Sequence, residues 1–174
     1  MESINIREIK TSLSSVDFIF LNDILKKENS ESILASLNKD LLIKYFVLLI
    51  KSKNIFLFFC EFKKENVGYA ILSSKPAFLI DEFKSLKFLI LKELVFRLKF
   101  KTLANIFLSL FKIDLIFLSK TKQNMINNNL NLSLLAIKKN FQSKGIGKEF
   151  IFQIIDNLKK EKYFNKITVE THNI

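Results

Sequence analysis

Only three glycines occur in this chain of 174 residues, and two of them, Gly145 and Gly147, stand between a strand-like run and a helix-like run. A sequence so poor in glycine keeps it where the backbone must turn tightly or be approached closely. The run before the pair, Leu132-Ser133-Leu134-Leu135-Ala136-Ile137, is short, apolar and bounded by polar residues, as a buried strand is. After the pair, Phe150, Ile151, Ile154, Ile155 and Leu158 recur at helical spacing between Lys148 and Lys162, with Lys and Glu on the other side. The hexapeptide Gln142-Ser143-Lys144-Gly145-Ile146-Gly147 is therefore predicted to be a strand-to-helix turn.

The first amides of a helix lack intrahelical acceptors and carry the positive end of the helix dipole. With no Cβ atoms in the way they form a cradle for a phosphate or diphosphate, and Lys144 and Lys148 add positive charge beside it. The spacing is not the dinucleotide fingerprint, which needs a third glycine, nor the nucleotide-hydrolase loop, which ends in Gly-Lys-Ser/Thr. Turn punctuation without any ligand is the plainer alternative. The segment Leu134 to Lys148, Leu-Leu-Ala-Ile-Lys-Lys-Asn-Phe-Gln-Ser-Lys-Gly-Ile-Gly-Lys, resembles motif A of the GNAT acetyltransferase superfamily, Gln/Arg-x-x-Gly-x-Gly/Ala. In that family the loop cradles the pyrophosphate of acetyl-coenzyme A.

The resemblance extends along the chain. Lys166 to Thr171, followed by His172-Asn173, is similar to the family's fifth strand and the Asn after it. Ile4 to Ile9 stands where a first strand is expected, and Ile55 to Phe62 with Val67 to Ser73 reads as a hairpin around Lys63-Lys64-Glu65-Asn66. The implied fold is α+β: a mixed, mostly antiparallel sheet flanked by helices, with a parallel fourth and fifth strand splayed apart. It would form one domain over 1–174, with a helical insertion at 75–131. Acetyl-coenzyme A is the implied cosubstrate. Its pantetheine arm would pair with Leu135, Ala136 and Ile137. Its pyrophosphate would be held by Gln142, Ser143, Lys144, Gly145, Ile146, Gly147 and Lys148, with Asn173 contributing beyond the fifth strand. The implied reaction moves acetyl to a primary amine of an amino sugar, a small metabolite or a protein.

Some members of the family place a catalytic Glu five residues before the Asn, where this chain has Thr168. Glu170 lies two residues on, hence on the same face of a strand, and His172 shares that face if the strand continues. These two are the candidate bases, and a solvated strand end is the bland alternative for both. In the family a helix, often with a Tyr that protonates the leaving thiolate, and further strands follow the Asn, whereas this sequence stops at Ile174. The expectation is that a second copy covers the strand-five edge, or that the chain is a truncated, impaired copy acting as a coenzyme A-binding or membrane-surface module.

Composition narrows the remaining classes. A hydrophobic content of 49% is enough for a core in a chain of this length. The net charge of +11 attracts anions, but Arg7 and Arg97 are the only arginines, and Lys, Asn, Ile and Phe share A/T-rich codons. Nucleic-acid recognition would be better served by arginines or by aromatics within a compact basic run, and neither is present. The single cysteine, Cys60, lies in Phe56-Leu57-Phe58-Phe59-Cys60 and reads as a buried small hydrophobe. With one Cys and one His, no zinc cluster or disulfide forms within the chain, no metal is expected, and a cytoplasmic setting follows. Met1 to Lys10 is too polar for a secretory signal.

Within 75–131, Phe78 to Phe100 and Thr102 to Leu118 read as two helices, and Lys120 to Asn131 as an asparagine-rich loop. The longest uncharged run, Thr102 to Phe111, is far short of the roughly 20 residues a bilayer span requires. The helices are expected to pack on the sheet or on another subunit, or to lay 78–111 against a membrane surface. Upstream, Val16 to Lys27 and Ser32 to Lys51 read as helices, the first burying Phe18, Leu21, Ile24 and Leu25, with Ser30 or Ser32 as N-cap of the second. The segment between them, near Glu28 to Ser36, is the candidate acceptor lip.

Overall fold

The apolar runs become strands covered on both faces. A computed structural model describes residues 3–30, 33–74, 86, 89, 129–160 and 166–169. Its elements are β1 (Asn5–Ile9), α1 (Ser15–Glu28), the single turn α2 (Ile33–Ser36), α3 (Lys39–Lys51), β2 (Ile55–Phe62), β3 (Glu65–Ser73), β4 (Asn129–Ile137), a 3-10 turn at Lys139–Phe141, α4 (Ile146–Lys160) and β5 (Lys166–Val169). The strands lie in sequence order in one sheet, antiparallel from β1 through β4 and parallel between β4 and β5. This is the mixed α+β architecture expected.

Strand alternation sorts the side chains into two cores. Leu57, Phe59, Tyr69 and Ile71 pack with Leu21, Ile24, Leu25, Leu42, Phe46 and Leu49 of α1 and α3. Phe58, Cys60, Ala70 and Leu72 pack with Ile146, Phe150, Ile154 and Leu158 of α4. Burying each such large side chain contributes about 1.5–3 kcal/mol, so α4 is held by one apolar stripe. Gly68 sits where β3 meets the end of β4: a Cβ there would lie 2.3 Å from Ile137 Cδ1 and 2.8 Å from the Ala136 carbonyl oxygen.

β4 carries an irregularity. Leu72 pairs with Leu132 and Ile71 with Leu134, which leaves Ser133 as the extra residue of a bulge. Leu130 and Leu132 therefore pack on the α4 side, and Leu134 and Ala136 on the α1/α3 side.

Several boundaries differ from expectation. The helix predicted over 32–51 is two pieces, because Asn38 accepts the Leu41 amide at 2.8 Å and starts α3 afresh. Asn38 is thus the cap of α3, while Ser32, directly before α2, lies outside the described residues. On α1, Phe20 is buried and Phe18 only half-buried. The hairpin turn is Lys63-Lys64 alone, with φ of 52° and 67°, because Glu65 and Asn66 already pair with Phe62 and Glu61. The loop predicted over Lys120 to Asn131 ends early: β4 starts at Asn129, since residues 129–131 pair in parallel with Lys166, Ile167 and Thr168. Helix α4 begins at Ile146, two residues before the predicted Lys148.

Of the insertion predicted over 75–131, residues 75–128 lie outside the described residues apart from Leu86 and Leu89. Both of these are helical, and Leu86 is buried in the core that contains α1 and α3. Among the described residues no helix is long and apolar enough to cross a membrane.

Candidate functional site

β4 runs on past its pairing with the described part of β5. Their pairing runs from Asn129 with Lys166 to Leu132 with Val169, while β4 continues to Ile137 against β3. Among the described residues, Ser133 to Ile137 have no strand partner on the β5 side. Leu135 is 37% exposed although it belongs to an interior strand. An unpaired length of strand can take on an extended, amide-bearing ligand as an added strand.

The end of β4 leads into the loop before α4. The Lys138 amide donates to Val67 O at 2.8 Å, closing β4 against β3. Gln142 Nε2 reaches back to Ile137 O at 2.7 Å and to Glu28 Oε2 at 3.3 Å, and Glu28 Oε1 accepts the Lys139 amide at 3.0 Å. Ser143 and Gly145 are left-handed, with φ of 60° and 78°. At Gly145 that conformation favours glycine. At Gly147 the fold itself has room, because an added Cβ would sit an ordinary 3.7 Å from Ile137 Cγ1.

These turns aim the start of α4 outward. Glu149 N donates to Gly145 O at 3.0 Å, and among the described residues no side chain accepts from the amides of Ile146, Gly147 or Lys148. Ile146 offers its amide alone, since its side chain is buried. Lys144 Nζ lies 5.5 Å from the Phe141 ring centroid and Lys148 Nζ 5.7 Å from that of Phe152. Neither lysine pairs with a carboxylate among the described residues. A cleft of about 610 Å³ opens beside this helix end, lined by Ile4, Phe62, Lys144, Gly145, Lys148 and Phe152 and by Glu149, whose Oε1 accepts from Gln153 Nε2 at 3.0 Å. A second groove of about 550 Å³, between the β1–α1 turn and α3, is lined by none of the loop residues and holds no acid or base other than Lys39 and Lys51.

Backbone amides and two lysines thus meet at one cleft, and Leu135, Ala136 and Ile137 lead by chain continuity into Gln142 to Lys148 without lining that cleft. Glu170, His172 and Asn173 lie outside the described residues. Thr168 is on β5, where its hydroxyl donates to Leu130 O at 3.3 Å and contacts Asn131 Oδ1. Cys60 is fully buried; burial, with help from neighbouring Glu61, pushes its thiol up to about 12, so it is a core residue and not a nucleophile. Among the described residues no group of three or more His, Cys, Asp or Glu is placed to hold a metal ion.

Two parts of this arrangement were not foreseen. The bulge at Ser133 had one faint signal, a lone serine within leucines, and its hydroxyl meets that of buried Ser73 at 2.8 Å. Glu28 had none, because it meets the loop only in three dimensions.

A curled mixed sheet, antiparallel through its first four strands and parallel between the last two, with helices on both faces, is the fold of the GNAT acetyltransferases. Solved structures bear this out. A GNAT family acetyltransferase from Staphylococcus aureus subsp. aureus USA300_TCH1516 matches with a TM-score of 0.54 and 16% identity, over 98% of this chain and 88% of its own. The ribosomal-protein-alanine N-acetyltransferase from Brucella melitensis biovar Abortus 2308 matches with a TM-score of 0.51 and 12% identity, over 99% of this chain and 82% of its own. An aminoglycoside N-acetyltransferase in complex with coenzyme A matches with a TM-score of 0.53 and 9% identity, over 98% and 78%. No protein-family model matches the sequence, and no curated protein is significantly similar to it. Identities this low carry the fold; the chemistry rests on the site.

Proposed function

We propose that this chain binds acetyl-coenzyme A and transfers its acetyl group to a primary amine. The observation that carries the reading is the continuity of the β4 edge from Ser133 to Ile137, which has no partner on the β5 side among the described residues, with amides at Ile146 to Lys148 that no described side chain accepts from. Together they match a ligand with an extended amide-bearing arm joined to a diphosphate. Backbone groups of Leu135 to Ile137 bind the arm, and the loop from Gln142 to Lys148 binds the diphosphate through amides and two lysines. A β4 amide beyond the pairing with β5 polarises the thioester carbonyl. The acceptor amine attacks the carbonyl carbon, a base takes the ammonium proton, and the thiolate departs and is protonated. Glu170 and His172 are the candidate bases. Acetyltransferases of this fold act on an aminoglycoside and on ribosomal-protein alanine, which makes an amino sugar or a protein amine the first acceptors to try.

Calorimetry with coenzyme A tests binding, and thiol release from acetyl-coenzyme A over a panel of amines tests turnover. Replacing Gly147 by Leu should weaken coenzyme A at least about tenfold, because a bulky side chain at this position narrows the approach to the helix-start amides, whereas Gly147→Ala, which the fold has room for, should leave thermal stability little changed. Coenzyme A binding without thiol release for any amine would leave a binding protein that has lost catalysis. No binding at all would refute the reading.

A further inference from the structure

Glu28, the last residue of α1, is tied to the loop that follows β4. Its two oxygens take different donors: Oε1 accepts the Lys139 amide at 3.0 Å, and Oε2 accepts Gln142 Nε2 at 3.3 Å. Gln142 Nε2 also donates to Ile137 O at 2.7 Å, so Glu28 reaches the end of β4 through one intermediary. The next residue makes a second tie. Asn29, the C-cap of α1, donates from Nδ2 to the hydroxyl of buried Tyr69 at 3.0 Å. Tyr69 stands opposite Ala136 in the β3–β4 register. Two consecutive residues at the end of one helix thus fix both the strand and the loop that form the coenzyme path.

A carboxylate so close to a diphosphate site is unfavourable on charge alone. Its position is explained by its hydrogen bonds, which orient the Lys139 amide and hold Gln142 across the mouth of the loop. Glu28 and Asn29 also begin the segment expected to form the acceptor lip, near Glu28 to Ser36, of which residues 31 and 32 lie outside the described residues. We infer that Glu28 is a positioning residue that joins the acceptor lip to the coenzyme loop, so that each side of the reaction senses the other. The inference rests on the coenzyme A reading above.

The experiment compares wild type, Glu28→Ala, Glu28→Gln, Gln142→Ala and the double variant Glu28→Ala/Gln142→Ala as full chains. Calorimetry measures coenzyme A affinity, and amide hydrogen exchange follows Lys139 and residues 33–37 with and without coenzyme A. A bystander carboxylate predicts tighter coenzyme A binding once its charge is gone, in both Glu28 variants. A positioning role predicts the opposite sign for alanine: affinity falls about three- to tenfold, the range of a charge-assisted hydrogen bond discounted for its exposure. Glu28→Gln keeps an oxygen for the Lys139 amide and should recover most of the loss. The double variant should bind no more weakly than the worse single one. Coenzyme A should slow exchange at 33–37 in wild type and not in Glu28→Ala, a response that a purely structural contact would not give.

Equal or tighter binding by Glu28→Ala, or an unchanged coenzyme A response at 33–37 in that variant, overturns the coupling and leaves the coenzyme reading intact. A wild-type chain that does not bind coenzyme A overturns both.

Discussion

Three helices of this protein begin in different company. Ser14 accepts the Asp17 amide at 3.1 Å and Asp17 accepts the Ser14 amide at 3.2 Å, so the start of α1 closes on itself. Arg7 locks that corner, with Asp17 at 2.7 Å, Glu61 at 2.7 Å and the Phe59 ring centroid at 5.1 Å. Asn38 closes α3 in the same way. At α4 the residues that would cap are replaced by Gly145 and flanked by lysines, and the amides face a cleft. A helix start satisfied by its own side chains contributes to stability; one left to solvent contributes an anion site. The contrast shows that the open corner is not a general habit of this chain.

The comparison can be broken at either end. Gly145→Asp would bring a carboxylate to the open corner. Coenzyme A affinity should fall about 100-fold, or roughly 2.7 kcal/mol, by calorimetry, while stability to urea changes by about 1 kcal/mol. Undiminished binding would detach the ligand from these amides. At the closed corner, Arg7→Met strands the buried Asp17 carboxylate. Urea unfolding should show a loss of about 2 kcal/mol, less than for a fully buried pair because the Arg7 side chain is 38% exposed, with coenzyme A affinity unchanged. Ser14→Ala and Asn38→Ala should each cost about 1 kcal/mol by the same measurement.

The gentlest test uses pH. Burial would by itself raise the Asp17 carboxyl, but hydrogen bonds from Arg7 and Ser14 and the Arg7 charge outweigh it and hold the group below its usual range. A native value lower than the unfolded one, about 3.9, means that this contribution is complete above that pH and is lost as pH falls through the native value. Urea midpoints between pH 5 and pH 2 should therefore decline less steeply in Asp17→Asn than in wild type. Parallel slopes would remove Asp17 from the account.

The sheet order and the start of α4 were legible because they rest on local chemistry: alternating apolar runs, a helical stripe and a pair of glycines. What escaped was decided by partners distant in sequence. Asn129 to Asn131 have the composition of a loop, yet they enter a strand because β5 pairs with all three and β3 pairs with Asn131. Lys63 and Lys64 adopt left-handed angles that the turn between β2 and β3 requires, although lysine has no preference for them. Asn38 was readable as a cap but lay inside an apolar pattern that seemed continuous. In the candidate site, the loop residues were legible from spacing, whereas Glu28 could be found only by tracing where α1 ends.

The extra residue at position 133 has a consequence for how β4 could be shortened. With Ser133 removed, Leu132 and Leu134 would become adjacent and still point to opposite layers, so Leu130 to Ile137 would all keep their neighbours. Such a deletion would straighten the strand while sparing both cores. Its cost would fall on buried Ser73, whose hydroxyl would lose the partner that Ser133 gives it.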